Sequence, residues 1–145
     1  MNVKTIIASG NFNPIHVGHI DYLNTSRFLG HRLIVIVNND AQVKLKKNGK
    51  VFMNDKDRKT IVDNLRCTDL TIISIDTEKT QCKTLRWLRK EFPKDEMIFT
   101  NGGDVTEENH NEKEKQTCEE LDIKCMYLIG GAKTESSSRL IENAN

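Results

Sequence analysis

The segment Gly10-Asn11-Phe12-Asn13-Pro14-Ile15-His16-Val17-Gly18-His19 decides how this chain folds. It follows an apolar, β-branched run over residues 3–8 and leads into a stretch with apolar residues at Ile20, Leu23, Phe28 and Leu29. This order predicts a strand, a glycine-containing turn and the start of a helix. Such a turn is where an α/β fold binds phosphate, because the first amides of the helix have no partner within it and carry the positive end of its dipole.

Two glycines and two histidines give this turn its chemistry. Gly10 and Gly18 allow a sharp turn or a close approach to a ligand. His16 and His19 lie three residues apart, so both rings can face one pocket if the helix begins near Val17. Imidazoles there would donate hydrogen bonds to the charge that develops on a phosphorus centre under attack. A zinc site is the alternative, but no carboxylate or cysteine within the segment completes a metal-binding set.

The segment resembles the His-x-Gly-His signature of the nucleotidylyltransferase superfamily. This superfamily includes glycerol-3-phosphate cytidylyltransferase, the heptose 1-phosphate adenylyltransferase domain, and the pantetheine-phosphate and nicotinamide-mononucleotide adenylyltransferases. Its first motif is commonly Gly-x-Phe-Asp, and here Asn13 replaces the aspartate. The resemblance implies catalysis by His16 and His19 and nucleotide binding by the other motif positions, which are Gly10, Asn11, Phe12, Asn13 and Gly18.

Length and composition limit the number of domains and the classes of binding partner that this chain can have. The chain has 145 residues, which predicts one domain over residues 1–145. It carries 22 basic and 21 acidic residues, so its net charge of +1 offers no global field for nucleic acid or an acidic membrane surface. The sequence has no run of about 20 apolar residues and no signal-peptide layout at its start. We therefore expect a cytoplasmic protein that binds neither nucleic acid nor membrane.

Apolar runs and helical spacings alternate along the rest of the chain. Strands are predicted at residues 32–37, 70–75, 97–100 and 123–129, besides the first. Helices are predicted at about 18–28 with Gly30 as C-cap, after a cap at Asn54 or Asp55, and at about 81–92 and 112–121. The pattern predicts an α/β fold, and with the family resemblance a Rossmann-like, doubly wound parallel sheet of about five strands.

Further candidate residues follow the predicted strands. The second strand ends at Asn38-Asn39-Asp40, and a basic loop over residues 44–50 comes next. The family resemblance implies that Asp40 meets the nucleotide, that Lys44 and Lys46 act in catalysis, and that Lys46 and Arg58 bind the acceptor substrate. It assigns nucleotide binding to two more segments, which are Gly102-Gly103-Asp104 and the Lys133, Ser136, Ser137 and Ser138 group before the last helix.

The resemblance implies direct nucleotidyl transfer, in which an acceptor phosphate attacks the α-phosphorus of a nucleoside triphosphate and pyrophosphate leaves. CTP is slightly favoured as donor, with a small phosphorylated polyol or sugar as acceptor. An ATP-dependent transfer to a sugar phosphate such as heptose 1-phosphate is the alternative. Mg²⁺ is expected with the triphosphate, held by phosphates and water without protein ligands. The family also suggests a homodimer.

Two readings of another class stay open. A non-catalytic nucleotide-binding or regulatory protein on the same fold would explain Asn13, although both histidines are retained. The four cysteines, Cys67, Cys82, Cys118 and Cys125, are scattered without a Cys-x-x-Cys pair. They are expected to be reduced and partly buried, and a zinc or redox protein is the minority interpretation.

Overall fold

A computed structural model describes residues 2–46 and 48–130 of the chain. Strands and helices alternate along it, as the apolar runs predicted. The strands are β1 (Lys4–Gly10), β2 (Arg32–Val37), β3 (Leu70–Ile73), β4 (Glu96–Thr100) and β5 (Ile123–Met126). The helices are α1 (Val17–Phe28), α2 (Asp40–Lys44), α3 (Asp55–Asp63), α4 (Cys82–Glu91) and α5 (Glu112–Glu120).

The five strands form one parallel sheet in the order β3-β2-β1-β4-β5. The chain builds outwards from β1 to β3, then crosses over through α4 and continues from β4 to the other edge. The strand order therefore reverses between β1 and β4, which is where sheets of this kind bind ligands at the carboxyl ends of the strands. The predicted doubly wound α/β fold with five strands is confirmed.

Each face of the sheet has its own apolar core. Ile6 and Ala8 of β1 pack on the face covered by α1 and α3, whereas Ile7 packs on the face covered by α4 and α5. Because both faces are covered, the central strands are apolar at consecutive positions. In β2, Leu33, Ile34, Val35, Ile36 and Val37 are all fully buried. None of the helices within the described ranges is long and apolar enough to cross a membrane.

One helix and the ends of two strands differ from the sequence prediction. The third strand ends at Ile73 instead of residue 75. Helix α2 was not predicted, because its short span merges into the basic run that was interpreted as a loop. Its cap is a reciprocal pair in which Asn39 Oδ1 accepts from the Gln42 amide and Gln42 Oε1 accepts from the Asn39 amide. The last strand ends at Met126 instead of residue 129, since Leu128 adopts a φ of 58° that an extended strand cannot accommodate.

Gly30 has a different role from the predicted C-cap. Leu29 is the cap residue of α1, in the right-handed region, and the φ of Gly30 is not in the left-handed region. A Cβ at Gly30 would lie 2.7 Å from the Lys4 carbonyl oxygen and 2.9 Å from Ile6 Cδ1. A glycine is therefore needed because the end of α1 passes directly against the start of β1.

Replacing Gly30 with alanine tests this close packing. We expect Gly30→Ala to lower the free energy of unfolding by about 1–3 kcal/mol, because the added methyl group overlaps a backbone oxygen that cannot move freely. Urea unfolding would measure the change. Gly102→Ala is the control for stability: its Cβ would have no atom closer than 4.0 Å, so equal losses in the two variants would contradict the packing argument.

Candidate active site

A cavity of about 260 Å³ opens between the carboxyl ends of β1 and β4. The loop and helix that follow β1 form one wall, with Gly10, Asn11, His16, Gly18 and His19. The loop that follows β4 forms the opposite wall, with Gly102, Gly103 and Asp104, and Lys46 lines the cavity as well. Nine of the predicted site residues thus surround one space at the point where the strand order reverses.

The two histidines form the N-terminal cap of α1. His16 is the cap residue, and its Nδ1 accepts a hydrogen bond of 3.1 Å from the Gly18 amide. The Nδ1 of His19 accepts one of 3.1 Å from the His16 amide, and the two ring centroids are 3.9 Å apart. An Nδ1 that accepts carries no proton, so each ring is a neutral tautomer whose Nε2 bears the hydrogen. Nε2–H is the only ring N–H donor of each histidine in this geometry.

Phe12 and Asn13 support the loop from behind and do not line the cavity. Phe12 is buried with a φ of 50°, and its ring contacts His19 edge-on at a centroid distance of 5.0 Å. Asn13 Oδ1 accepts from the amides of Phe52 and Met53, and its Nδ2 donates to the Lys50 carbonyl at 2.8 Å. Asn13 therefore attaches the end of the basic segment to the loop after β1.

Arg58 is buried beneath this loop rather than exposed in the cavity. Its side chain is fully buried, with Nη1 donating to the carbonyl oxygens of Asn11 and Asn38, both at 2.7 Å. Nη2 forms an ion pair of 2.7 Å with Asp40, and Nε donates to the Met53 carbonyl. These contacts indicate that Arg58 and Asp40 position the loops. Direct substrate binding by Arg58 and nucleotide contact by Asp40 stay predictions.

The two lysines predicted from the basic loop lie in different places. Lys44 is the last residue of α2, is exposed and does not line the cavity. Lys46, two residues later, does line it. The other predicted group, Lys133 with Ser136, Ser137 and Ser138, lies outside the described residues.

Tyr22 joins α1 to the two strands under the cavity. Its hydroxyl donates to the Thr100 carbonyl at 2.6 Å and accepts from the Ser9 amide. Burial raises the pKa of the Tyr22 phenol to about 12, because the charged phenolate would be formed away from water. The neutral phenol is therefore the form that stabilises this corner of the fold.

Sequence reasoning missed several residues that line the cavity, notably Asp21, Tyr22 and Gly130. A signal was present for Tyr22, which follows His19 by three residues and so lies on the same side of α1. Gly130 has a φ of 95°, and the Gly130-Gly131 pair in the sequence was a signal for such a turn. For Asp21 the sequence gives no comparable pattern.

The four cysteines lie away from the cavity walls. Cys67, Cys82 and Cys118 are buried and Cys125 is partly buried, and none forms a disulfide. A hydrogen bond between the last two lowers the pKa of Cys125 and raises that of Cys118. Across residues 2–46 and 48–130, no group of three or more potential ligands is arranged to hold a metal ion. The predicted burial of the cysteines is confirmed.

Comparison with known proteins identifies the family of this chain. A sequence model of the cytidylyltransferase-like family matches residues 7–142. The bifunctional protein HldE of Marinomonas sp. is 30% identical over 144 residues, covering 98% of this chain and 28% of that protein. HldE of Citrifermentans bemidjiense is 29% identical over 140 residues, covering 96% of this chain and 26% of that protein. The chain thus spans about a quarter of the length of these relatives.

A solved structure shares the fold. The lipopolysaccharide core biosynthesis protein from Thermoplasma volcanium superposes with a TM-score of 0.67 over 90% of this chain and all of that chain, at 24% identity. The family match covers nearly the whole chain, and the shared fold is consistent with it. The chain belongs to the cytidylyltransferase-like family, which confirms the superfamily predicted from its sequence.

Substitution of Arg58 tests whether its buried hydrogen bonds stabilise the protein more than a surface ion pair does. We expect Arg58→Met to lower the free energy of unfolding by about 3–5 kcal/mol, because three partly buried carbonyls and Asp40 lose a fully buried donor. Arg86→Met is the matched control. Arg86 pairs with Glu120 at 2.9 Å on the surface, and loss of such a pair costs about 1 kcal/mol or less. Chemical denaturation would measure both, and similar values would contradict the positioning role.

Tyr22 gives the protein an alkaline stability limit. Its folded pKa of about 12 exceeds the unfolded value of 10.0, so the stability that it contributes is complete below pH 10 and is lost as the pH rises through 12. At about 1.4 kcal/mol per pKa unit, wild type should lose about 3 kcal/mol relative to Tyr22→Phe across that range. Urea unfolding between pH 8 and 12 would measure the difference. A constant gap between the two proteins would contradict the assignment.

Proposed function

We propose that this protein transfers a nucleotidyl group from a nucleoside triphosphate to a small phosphorylated polyol or sugar. A phosphate oxygen of the acceptor attacks the α-phosphorus and forms a new O–P bond. The bond from that phosphorus to the bridging oxygen breaks, and pyrophosphate leaves with the electron pair. CTP is the first candidate for the donor and ATP the second.

The pair of imidazoles at the start of α1 is the observation that carries this proposal. Both Nδ1 atoms are occupied by backbone amides, so the Nε2–H groups of His16 and His19 are the donors that the rings can offer to a ligand. Both rings line the cavity, and helix N-termini favour anions. Donors aimed at the α-phosphoryl group would stabilise the charge that develops as the acceptor attacks.

Positioning completes the proposed mechanism, since nucleotidyl transfer needs no nucleophilic side chain. Lys46 would contact the phosphates as a mobile positive charge on the cavity wall. Mg²⁺ accompanies a triphosphate and supplies charge neutralisation when bound. Asp21 and Asp104 are oxygen donors in the wall, a set that fits an ion held chiefly by phosphate and water rather than by a protein cage.

The choice of donor rests on features that point in different directions. The match to the cytidylyltransferase-like family favours CTP. The Gly102-Gly103-Asp104 segment favours ATP and a sugar phosphate, because it resembles the heptose 1-phosphate adenylyltransferases and lines the cavity. A homodimer and a cytoplasmic location are further parts of the proposal, suggested by the family.

Pyrophosphate release tests the proposal directly. The protein would be incubated with Mg²⁺, each of the four ribonucleoside triphosphates and a pool of polyol and sugar phosphates. We expect release with CTP, or with ATP as the alternative. His16→Ala and His19→Ala should each lower turnover by roughly 10² to 10³, because each removes one donor to developing charge.

His31→Ala is the matched control for these variants. His31 is exposed at the opposite end of the sheet, where its Nδ1 accepts from the Lys4 amide, so this variant should retain wild-type turnover. Release that survives both cavity substitutions would contradict the catalytic role of the histidines. Tight triphosphate binding without release for any acceptor would favour the non-catalytic nucleotide-binding protein instead.

A further inference from the structure

Three carboxamide side chains form a hydrogen-bonded relay that ends at the cavity. Gln81 Nε2 donates to Asn38 Oδ1, and Asn38 Nδ2 donates to Asn11 Oδ1 at 2.7 Å. Asn11 is a cavity residue, whereas Asn38 and Gln81 do not line the cavity. The relay therefore links the start of α4 to the loop after β1 through the end of β2.

The relay has a direction, because each amide uses one end to accept and the other to donate. Asn38 accepts a hydrogen bond through its oxygen and donates one through its nitrogen. The oxygen of Asn11 is therefore bonded to Asn38, which does not line the cavity. Among the described residues, Asn11 Nδ2 has no hydrogen-bond partner. Anions are bound by donors and repelled by carbonyl oxygens, so the nitrogen is the end of the Asn11 amide that could bind a phosphate.

Both ends of the relay are held by buried groups. The backbone N–H of Gln81 donates to Glu114 Oε2 at 2.7 Å, and Glu114 Oε1 contacts His110 Nε2 at 2.7 Å. At the other end, the Arg58 guanidinium binds the backbone carbonyls of Asn11 and Asn38. The side chains in the relay therefore start from fixed backbone positions, so hydrogen bonding can set their orientation.

We propose that Asn38 and Gln81 are positioning residues that hold the Asn11 side chain with its Nδ2 directed at the phosphates of the bound nucleotide. This inference rests on the proposed nucleotidyl transfer. It adds the Asn11 amide to the donors already proposed, which are the two imidazoles and Lys46, and assigns its orientation to residues outside the cavity. The effect on the reaction should fall on kcat, because the donor meets charge that increases in the transition state.

The direction of the relay can be reversed by an isosteric substitution. In Asn38→Asp the carboxylate only accepts, so the Asn11 nitrogen must turn towards it and the Asn11 oxygen must face the cavity. Gln81→Glu should act similarly through Asn38. Gln81 Oε1 has no partner among the described residues, so reversal breaks no hydrogen bond at that oxygen. We expect kcat to fall by about 10- to 100-fold in both variants, with KM for the triphosphate within about threefold.

Neutral variants at the same positions are the matched controls. Asn38→Ala and Gln81→Met remove a link without imposing the wrong direction, so we expect them to lose less than about fivefold in kcat. A salt series controls for the charge that the two substitutions add. A loss of kcat caused by long-range electrostatic repulsion would shrink between about 0.05 M and about 0.5 M KCl, whereas a loss of kcat caused by reversal of the relay would not. Reversing variants that are no slower than the neutral ones would overturn the proposal, as would a loss that salt abolishes.

A second measurement separates this proposal from the proposed function. The side-chain amide signals of Asn11, assigned by their absence in Asn11→Ser, would be followed by NMR during titration with inorganic pyrophosphate. They should shift in wild type and not in Asn38→Asp. An inactive wild type that shows this pattern would refute nucleotidyl transfer and leave the relay standing. No shift in wild type would overturn the relay even if the enzyme is active.

Discussion

The buried guanidinium of Arg58 is the interaction on which the site depends. It binds carbonyl oxygens of the loop after β1, the end of β2 and the segment before α3, and it pairs with Asp40. A cation removed from water must have all of these partners, or its desolvation is not compensated. One charge therefore fixes the relative positions of three segments, and these segments bring Asn11, Asn38 and the basic loop together.

A second constraint is that the same two imidazole rings cap the helix and supply the candidate catalytic groups. Caps of α-helices usually use short side chains such as serine or aspartate, whereas here the Nδ1 atoms of His16 and His19 accept the backbone amides. The cap requires neutral rings and sets both tautomers. Stability of the first turn and the availability of two Nε2–H donors are thus a single property of this sequence.

Features that depend on local sequence patterns were predicted, whereas features that depend on tertiary contacts were missed. Continuous apolar runs were enough for the five strands, and the family resemblance added their parallel, doubly wound arrangement. The Gly10 to His19 segment was enough for the position of the cavity. The short helix α2 was missed because its Asn39 and Gln42 cap is weaker than the adjacent run of lysines as a sequence signal. The functions of Arg58 and of the Gln81, Asn38 and Asn11 relay depend on residues far apart in the chain, and no spacing rule brings them together.

Asn13 shows how a departure from a family pattern can be structural. An aspartate at this position could accept from the amides of Phe52 and Met53, but it could not donate to the Lys50 carbonyl as Asn13 Nδ2 does. The residue is buried and does not line the cavity, so its hydrogen bonds hold the end of the basic loop in place. That loop carries Lys46 to the cavity wall. The asparagine is therefore explained by how this chain holds its basic loop, and it provides no independent support for a loss of catalysis.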